Sequence, residues 1–238
     1  MKKNKAMRLA SALLVLTLLS TSIISGTFAK YTSQATGSDS ARVAKWGVAL
    51  TVNANDFATE YVKDDNSSTV AKTVVSTVKV VAPGTDSQEE NCQATFSITG
   101  EPEVAVKVNV ALSNVKDVCL PAGTYTDYTS ANPSATFTLD NDYYPVVWTL
   151  KQGSTTLATG TLAQIKTFLD NYNADLDACI YAANQNIAAS FTLDWAWAFS
   201  VNDAADTYLG NVAAGTVTDS SAKTEVGYSL TVTATQVD

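Results

Sequence analysis

From Ala44 onward the chain alternates. Ala44, Trp46, Val48, Leu50 and Val52 interleave with Lys45, Gly47, Ala49 and Thr51, the period of two that predicts a half-buried strand. β-branched runs follow at Thr69 to Val81, Ala94 to Thr99 and Glu103 to Leu112, punctuated by Pro83-Gly84 and Gly100-Glu101-Pro102. Such breakers belong in turns, because Pro cannot donate to a ladder and Gly tolerates positive φ. The short link from Ile98 to Val104 predicts an antiparallel hairpin. Ala135 to Leu139 and Pro145 to Lys151 continue the strand pattern, with Tyr143, Tyr144 and Trp148 as bulky packing residues.

One segment changes period. Between Thr161 and Asn184, residues Leu162, Ile165, Leu169, Tyr172, Leu176, Cys179 and Ala183 recur every three or four positions, as an amphipathic helix requires. Thr161 and Gln164 fit a capping box, and Asn171 and Asn173 are places where the segment can split in two. Strands then resume at Ser190 to Ser200, where Phe191, Leu193, Trp195, Trp197 and Phe199 share a face, and at Val226 to Val237, where Val226, Tyr228, Leu230, Val232 and Ala234 do. An aromatic stripe at period two is usually core, so Trp46, Trp148, Trp195, Trp197 and Phe199 are expected inside. Many antiparallel-type strands, one helical excursion and no βαβ rhythm predict an all-β, jelly-roll-like antiparallel sandwich over 41–238, with a helical insertion at about 161–184.

The N-terminus follows other rules. Lys2, Lys3, Lys5 and Arg8 precede an apolar run from Leu9 to about Ile24, the layout of a signal peptide. A helix over that run rises only about 24 Å, short of the ~30 Å hydrocarbon core, although an uncleaved anchor is the alternative. Small residues at Thr27 and Ala29 place a cut between Ala29 and Lys30, making 1–29 the leader. The next segment, 30–40, is polar without sustained alternation and reads as flexible or conditionally ordered.

Charge and chemistry narrow the function. Losing the four basic leader residues leaves 11 Lys+Arg against 23 Asp+Glu, a formal net charge of −12 compared with −8 for the full chain. A nucleic-acid backbone is repelled by such a surface. The absence of histidine removes Ser-His-Asp and Cys-His triads and HExxH zinc sites. Cys92, Cys119 and Cys179 are too scattered for a CxxC motif, and a Cys119 to Cys179 bridge and buried free thiols both remain open. Asp140-Asn141-Asp142 and Asp203 to Asp206 offer oxygen ligands for Ca²⁺ but lack an EF-hand pattern, which favours solvated loop acids. Asn66-Ser67-Ser68 matches a glycosylation sequon and is read as incidental. No cofactor is expected, and a non-enzymatic role is.

The stretch Gly26 to Trp46, with Gly26-Thr27-Phe28-Ala29 before an aromatic-containing mature start, resembles the TasA/camelysin family, whose leaders are removed by a SipW-type signal peptidase in Gram-positive bacteria. Val81-Ala82-Pro83-Gly84-Thr85, Leu209-Gly210-Asn211 and the last alternating strand are similar to the same family, whereas Val115 to Asn184 matches nothing in it. The resemblance implies a jelly-roll core with added helices, export to the cell surface or biofilm matrix, and membrane contact only during export. It also implies fibre assembly in which a segment such as Lys30, Tyr31, Thr32, Ser33, Gln34, Ala35 and Thr36 donates a strand to the next copy, with other matrix components as further partners. A monomeric surface binding module or adhesin, using the Tyr125 to Tyr144 loop, is the alternative. A camelysin-type peptidase is a remote one, unsupported by a histidine-free chain.

Overall fold

The computed structural model describes residues 5–25, 39–61, 74–88, 92–132, 134–199 and 201–237. Ala29, the candidate donor residues Lys30 to Thr36 and the Asn66 sequon lie outside them. The chain divides into two units, Met1–Val43 and Ala44–Asp238, each taken by itself. The described residues of the first include the helix α1 (Lys5–Ser25). No helix among the described residues is long and apolar enough to cross a membrane.

The second unit is mostly antiparallel β. In chain order it comprises β1 (Val48–Ala54), β2 (Ala58–Tyr61), β3 (Val74–Val80), β4 (Ala94–Gly100), β5 (Val106–Lys116), β6 (Gly123–Thr126), β7 (Thr136–Leu139), β8 (Val146–Gln152), β9 (Thr155–Gly160), α2 (Leu162–Ala174), α3 (Leu176–Cys179), β10 (Ile180–Tyr181), β11 (Ile187–Trp197), α4 (Asp203–Ala213) and β12 (Gly227–Gln236). Five strands form one sheet in the order β1-β4-β11-β8-β9, and three form a second in the order β10-β5-β12. β2–β3 and β6–β7 are separate two-stranded ribbons.

The two sheets share a core, as expected of a sandwich. Every second residue of β4, β8 and β11 points into it: Phe96 and Ile98, Trp148 and Leu150, Leu193 and Trp195. From the smaller sheet come Val106, Val108, Val110 and Leu112, all at most 2% exposed. Phe96 and Phe191, cross-strand partners, stack with ring centroids 4.7 Å apart.

Four sequence expectations need correction. The strand expected from Ala44 starts at Val48, because Gly47 turns at φ +58° and breaks the alternation, so Trp46 is 41% exposed rather than core. The aromatic stripe ends at Trp197, where Gly84 N–H and Thr85 O close the ladder. Phe199 lies beyond that point, 71% exposed against Gly84. The Ile98–Val104 link is no hairpin: β4 and β5 belong to different sheets, and the Gly100 to Pro102 turn carries the chain across. Finally, Asp203 to Asp206 opens a helix, α4, capped by Asn202, whose side chain accepts from Ala205 N at 3.2 Å. Asp206 is buried, not a solvated loop acid.

Candidate functional site

The two flanks of the sandwich are finished differently. On one side, α2 packs Leu162, Ile165 and Leu169 over β5, β8 and β9. Its start is tightly specified. Thr161 Oγ1 accepts from Gln164 N and Gln164 Oε1 accepts from Thr161 N, and the Asp117 carboxylate accepts from Leu162 N at 2.9 Å and Ala163 N at 3.1 Å. A capping box and a carboxylate thus satisfy the free N–H groups of the first turn and complement the helix dipole. Gly160, at φ +152°, leaves the space that Gln164 needs, since a Cβ there would stand 2.1 Å from Gln164 Oε1.

The end of α2 is equally specific. The helix stops at Asp175, which adopts an extended conformation, so the break falls later than Asn171 or Asn173. Asn173 stays helical, and its amide accepts from Val110 N at 2.9 Å and donates to Val110 O at 2.7 Å. Those are the groups an added strand would bind, so a side-chain amide blocks the edge of β5 there. β10 pairs with β5 at Val106 and Lys107, covering a further part of that edge.

On the opposite flank nothing described performs this role. Among the described residues β1 pairs only with β4, and β12 only with β5, and the two strands approach each other across the sandwich. Directly opposed residues of an antiparallel pair share a face. Leu50 and Val52 oppose Ile98 and Phe96, which are buried, yet Leu50 is 39% and Val52 42% exposed. Leu230, Val232 and Ala234 oppose the buried Leu112, Val110 and Val108 and are only half-buried themselves. The inward side chains of both edge strands therefore line an apolar seam that the fold leaves partly uncovered.

At one end of the seam is a groove of about 530 Å³, lined by Phe57, Lys79, Val80, Asn114, Lys116 and Tyr228. Lys116 pairs with Glu225 at 2.6 Å on its rim, holding the Glu225 carboxyl below its ordinary range. The Tyr228 hydroxyl donates to the Asp56 carboxyl, in the turn after β1. The Asp56 main-chain oxygen accepts from Trp195 Nε1 at 2.7 Å. Burial pushes the Asp56 carboxyl up to about 7; the Ala94 amide and the Lys79 charge pull it partway back, and Asp194 adds repulsion. Asp56 Oδ1 makes no full hydrogen bond among the described residues.

A second buried carboxyl lies under α4. Asp206 accepts from the Tyr143 hydroxyl at 2.8 Å, and burial raises its pKa while Tyr143 and the Trp197 indole lower it. Tyr143 is raised in turn, by burial and then by this bond. Beside it, Tyr125, Phe137, Tyr128 and Tyr208 pack on one another between the β6–β7 ribbon and α4. Of the tyrosines in the Tyr125 to Tyr144 loop, Tyr125 and Tyr128 belong to this cluster and Tyr143 bonds Asp206, while Tyr144 is 39% exposed.

Of the residues singled out in the sequence, Trp148, Trp195 and Trp197 are buried at 0, 2 and 6% exposure. Cys119 and Cys179 are buried thiols not joined to each other, and Cys92 is buried as well. Asp142 accepts from Ala122 N at 2.9 Å, capping a turn. No group of three or more Cys, Asp or Glu among the described residues is arranged to hold a metal ion. The sequence reading missed Asp56 and Tyr228, which are 172 positions apart. No protein-family model, curated protein or solved structure matches this chain.

Proposed function

We propose that this protein is exported, cut between Ala29 and Lys30, and assembles as a fibre subunit of the cell surface or matrix, in the manner of the TasA/camelysin proteins that its sequence resembles. The supporting observation is the seam. Two edge strands present inward-facing Leu50, Val52, Leu230 and Val232 incompletely covered, while the opposite flank is sealed by a helix, a short strand and an asparagine amide.

An incoming strand suits both needs of such a place. It pairs the free N–H and C=O groups of an edge, and alternate side chains cover the apolar row beneath. Residues 30–40 of a second copy are the proposed occupant. Tyr31, Thr32 and Thr36 favour extended structure, and Gly37 supplies a hinge. Donor and acceptor lie on one chain, so the contact is head-to-tail and propagates into a filament. Tyr31 is the only aromatic of the segment, so main-chain pairing carries much of the affinity.

The test is electron microscopy of exported protein with and without Lys30 to Ser38, matched in far-ultraviolet spectrum and melting point. Filaments lost on deletion support the reading. Filaments that persist undiminished contradict it, and a parent that stays monomeric in every condition favours the binding-module alternative.

A further inference from the structure

Resting on the reading of the seam as the acceptor of residues 30–40 from a second copy, we propose that the incoming strand pairs with β12 rather than β1 and runs antiparallel to it. Its Lys30 end then lies at the link between β4 and β5, and its Thr36 end leaves over the groove. This polarity gives an open filament, and the reverse polarity a closed pair.

The two edges face each other but run in opposite directions. β1 starts at Val48, opposite Gly100 at the end of β4, and β12 finishes at Gln236, opposite Val106 at the start of β5. The link between Gly100 and Val106 joins those positions across the sandwich, so both edges have one end there. Their other ends, Ala54 and Gly227, lie toward the groove of Phe57 and Tyr228. An incoming strand is therefore antiparallel to one edge and parallel to the other. Antiparallel pairing is the more stable per residue, so the choice of edge sets the polarity.

Three observations choose β12. Leu50 and Val52 on the inner face of β1 are more exposed than Leu230 and Val232 on that of β12. In a sandwich the facing sheet covers such side chains, so a strand that extends the smaller sheet past β12 lies over Leu50 and Val52. That sheet has three strands against five, which is why β1 lacks a full cover. β12 also offers the longer edge: ten residues, paired with β5 in unbroken register from Ser229 to Gln236, against seven in β1, which Gly47 cuts short by turning at φ +58°. An occupant of eleven residues, 30–40, matches the longer edge better.

Where the segment joins its own domain decides how copies stack. Glu103 N–H donates to Lys45 O at 2.9 Å, and Lys45 N–H donates to the Glu103 carboxylate at 2.8 Å, fastening the chain just before β1 to the link. Every copy thus sends out its segment from the link end. Antiparallel to β12, a donated strand enters with Lys30 at the acceptor's link end and leaves at its groove end. The link end of one copy then meets the groove end of the next, and the contact repeats without closing. Antiparallel to β1, the strand would leave at the acceptor's link end. Link would meet link, and the two segments would exchange into a closed pair.

Four double-cysteine variants of the full mature chain test this, each joining one end of the segment to one end of β12. Ser229 and Thr235 are exposed, so the substitutions leave the packing alone, and the native cysteines are buried, so the parent serves as the blank. After treatment with a short bis-maleimide, Lys30→Cys with Thr235→Cys and Thr36→Cys with Ser229→Cys should each give a ladder of cross-linked multimers on a denaturing gel. The reversed pairs, Lys30→Cys with Ser229→Cys and Thr36→Cys with Thr235→Cys, should lose the ladder. A ladder from the reversed pairs, or products that stop at two copies, overturns the polarity and leaves strand donation standing. Absence of products from all four variants also overturns it, and deletion of Lys30 to Ser38 then separates the causes. Filaments lost on deletion keep the fibre reading with the strand on another edge, and filaments that persist remove both.

Discussion

The sandwich has one closed flank and one open flank, and the contrast lies in what covers the last strand of each sheet. On the closed side, Leu162, Ile165 and Leu169 fill the space between β5 and β9, and Asn173 occupies the main-chain groups of Val110. On the open side, Leu50 and Val52 have the orientation of core residues and the exposure of surface ones. An exposed, apolar sheet edge is a hazard that natural proteins usually blunt with charge, proline or a bulge. β1, reading Val-Ala-Leu-Thr-Val-Asn-Ala, has neither charge nor proline. This asymmetry between the flanks is what the proposed strand donation would use.

Substitutions on the two flanks sharpen this contrast, and they are expected to fall in a definite order. Ile165→Ala should cost about 2 to 5 kcal/mol in urea unfolding, since it empties a fully buried site. Asn173→Ala should cost about 1 to 3 kcal/mol by leaving the Val110 amide and carbonyl without partners. It should also raise hydrogen exchange at Val110 selectively. Thr161→Ala should cost about 1 kcal/mol by removing one half of the capping box. Leu50→Ala should cost less than about 1 kcal/mol in the isolated chain, because much of that side chain already meets water. The order would break if Leu50→Ala destabilised the chain as much as Ile165→Ala does. That result would mean the seam is closed in solution.

On the closed flank, α2 was legible in the sequence and β10 was not, because Cys179 and Ala183 continue the helical spacing on paper across Ile180–Tyr181. The three-and-four spacing from Leu162, with Thr161 and Gln164 as caps, specifies a helix from local information alone. The stripe from Phe191 to Trp197 likewise announces a central strand. The open flank was not legible, because openness is a property of pairing: β12 reads as a good core strand, and only its position at an edge leaves Leu230 and Val232 half-covered. Trp46 and Phe199 were misplaced for a related reason, since a period of two continues on paper past Gly47 and Trp197, where the ladder ends. α4 was overlooked although its signals were present. Asn202 before Asp203 and Asp206 is an N-cap followed by an acidic first turn. Asp56 and Tyr228 had no sequence signal, because neither forms a local motif and the fold alone brings them together.

The most direct test of the open flank as an acceptor is to titrate a peptide of residues 30–40 into isotopically labelled chain lacking that segment and to follow backbone amide shifts. The account predicts that changes concentrate in β1 and β12, with slowed hydrogen exchange along both strands, and leave β9, β10 and α2 unmoved. Changes centred on β9, β10 or the Tyr125–Tyr208 cluster, or no binding by a peptide at millimolar concentration, would contradict it.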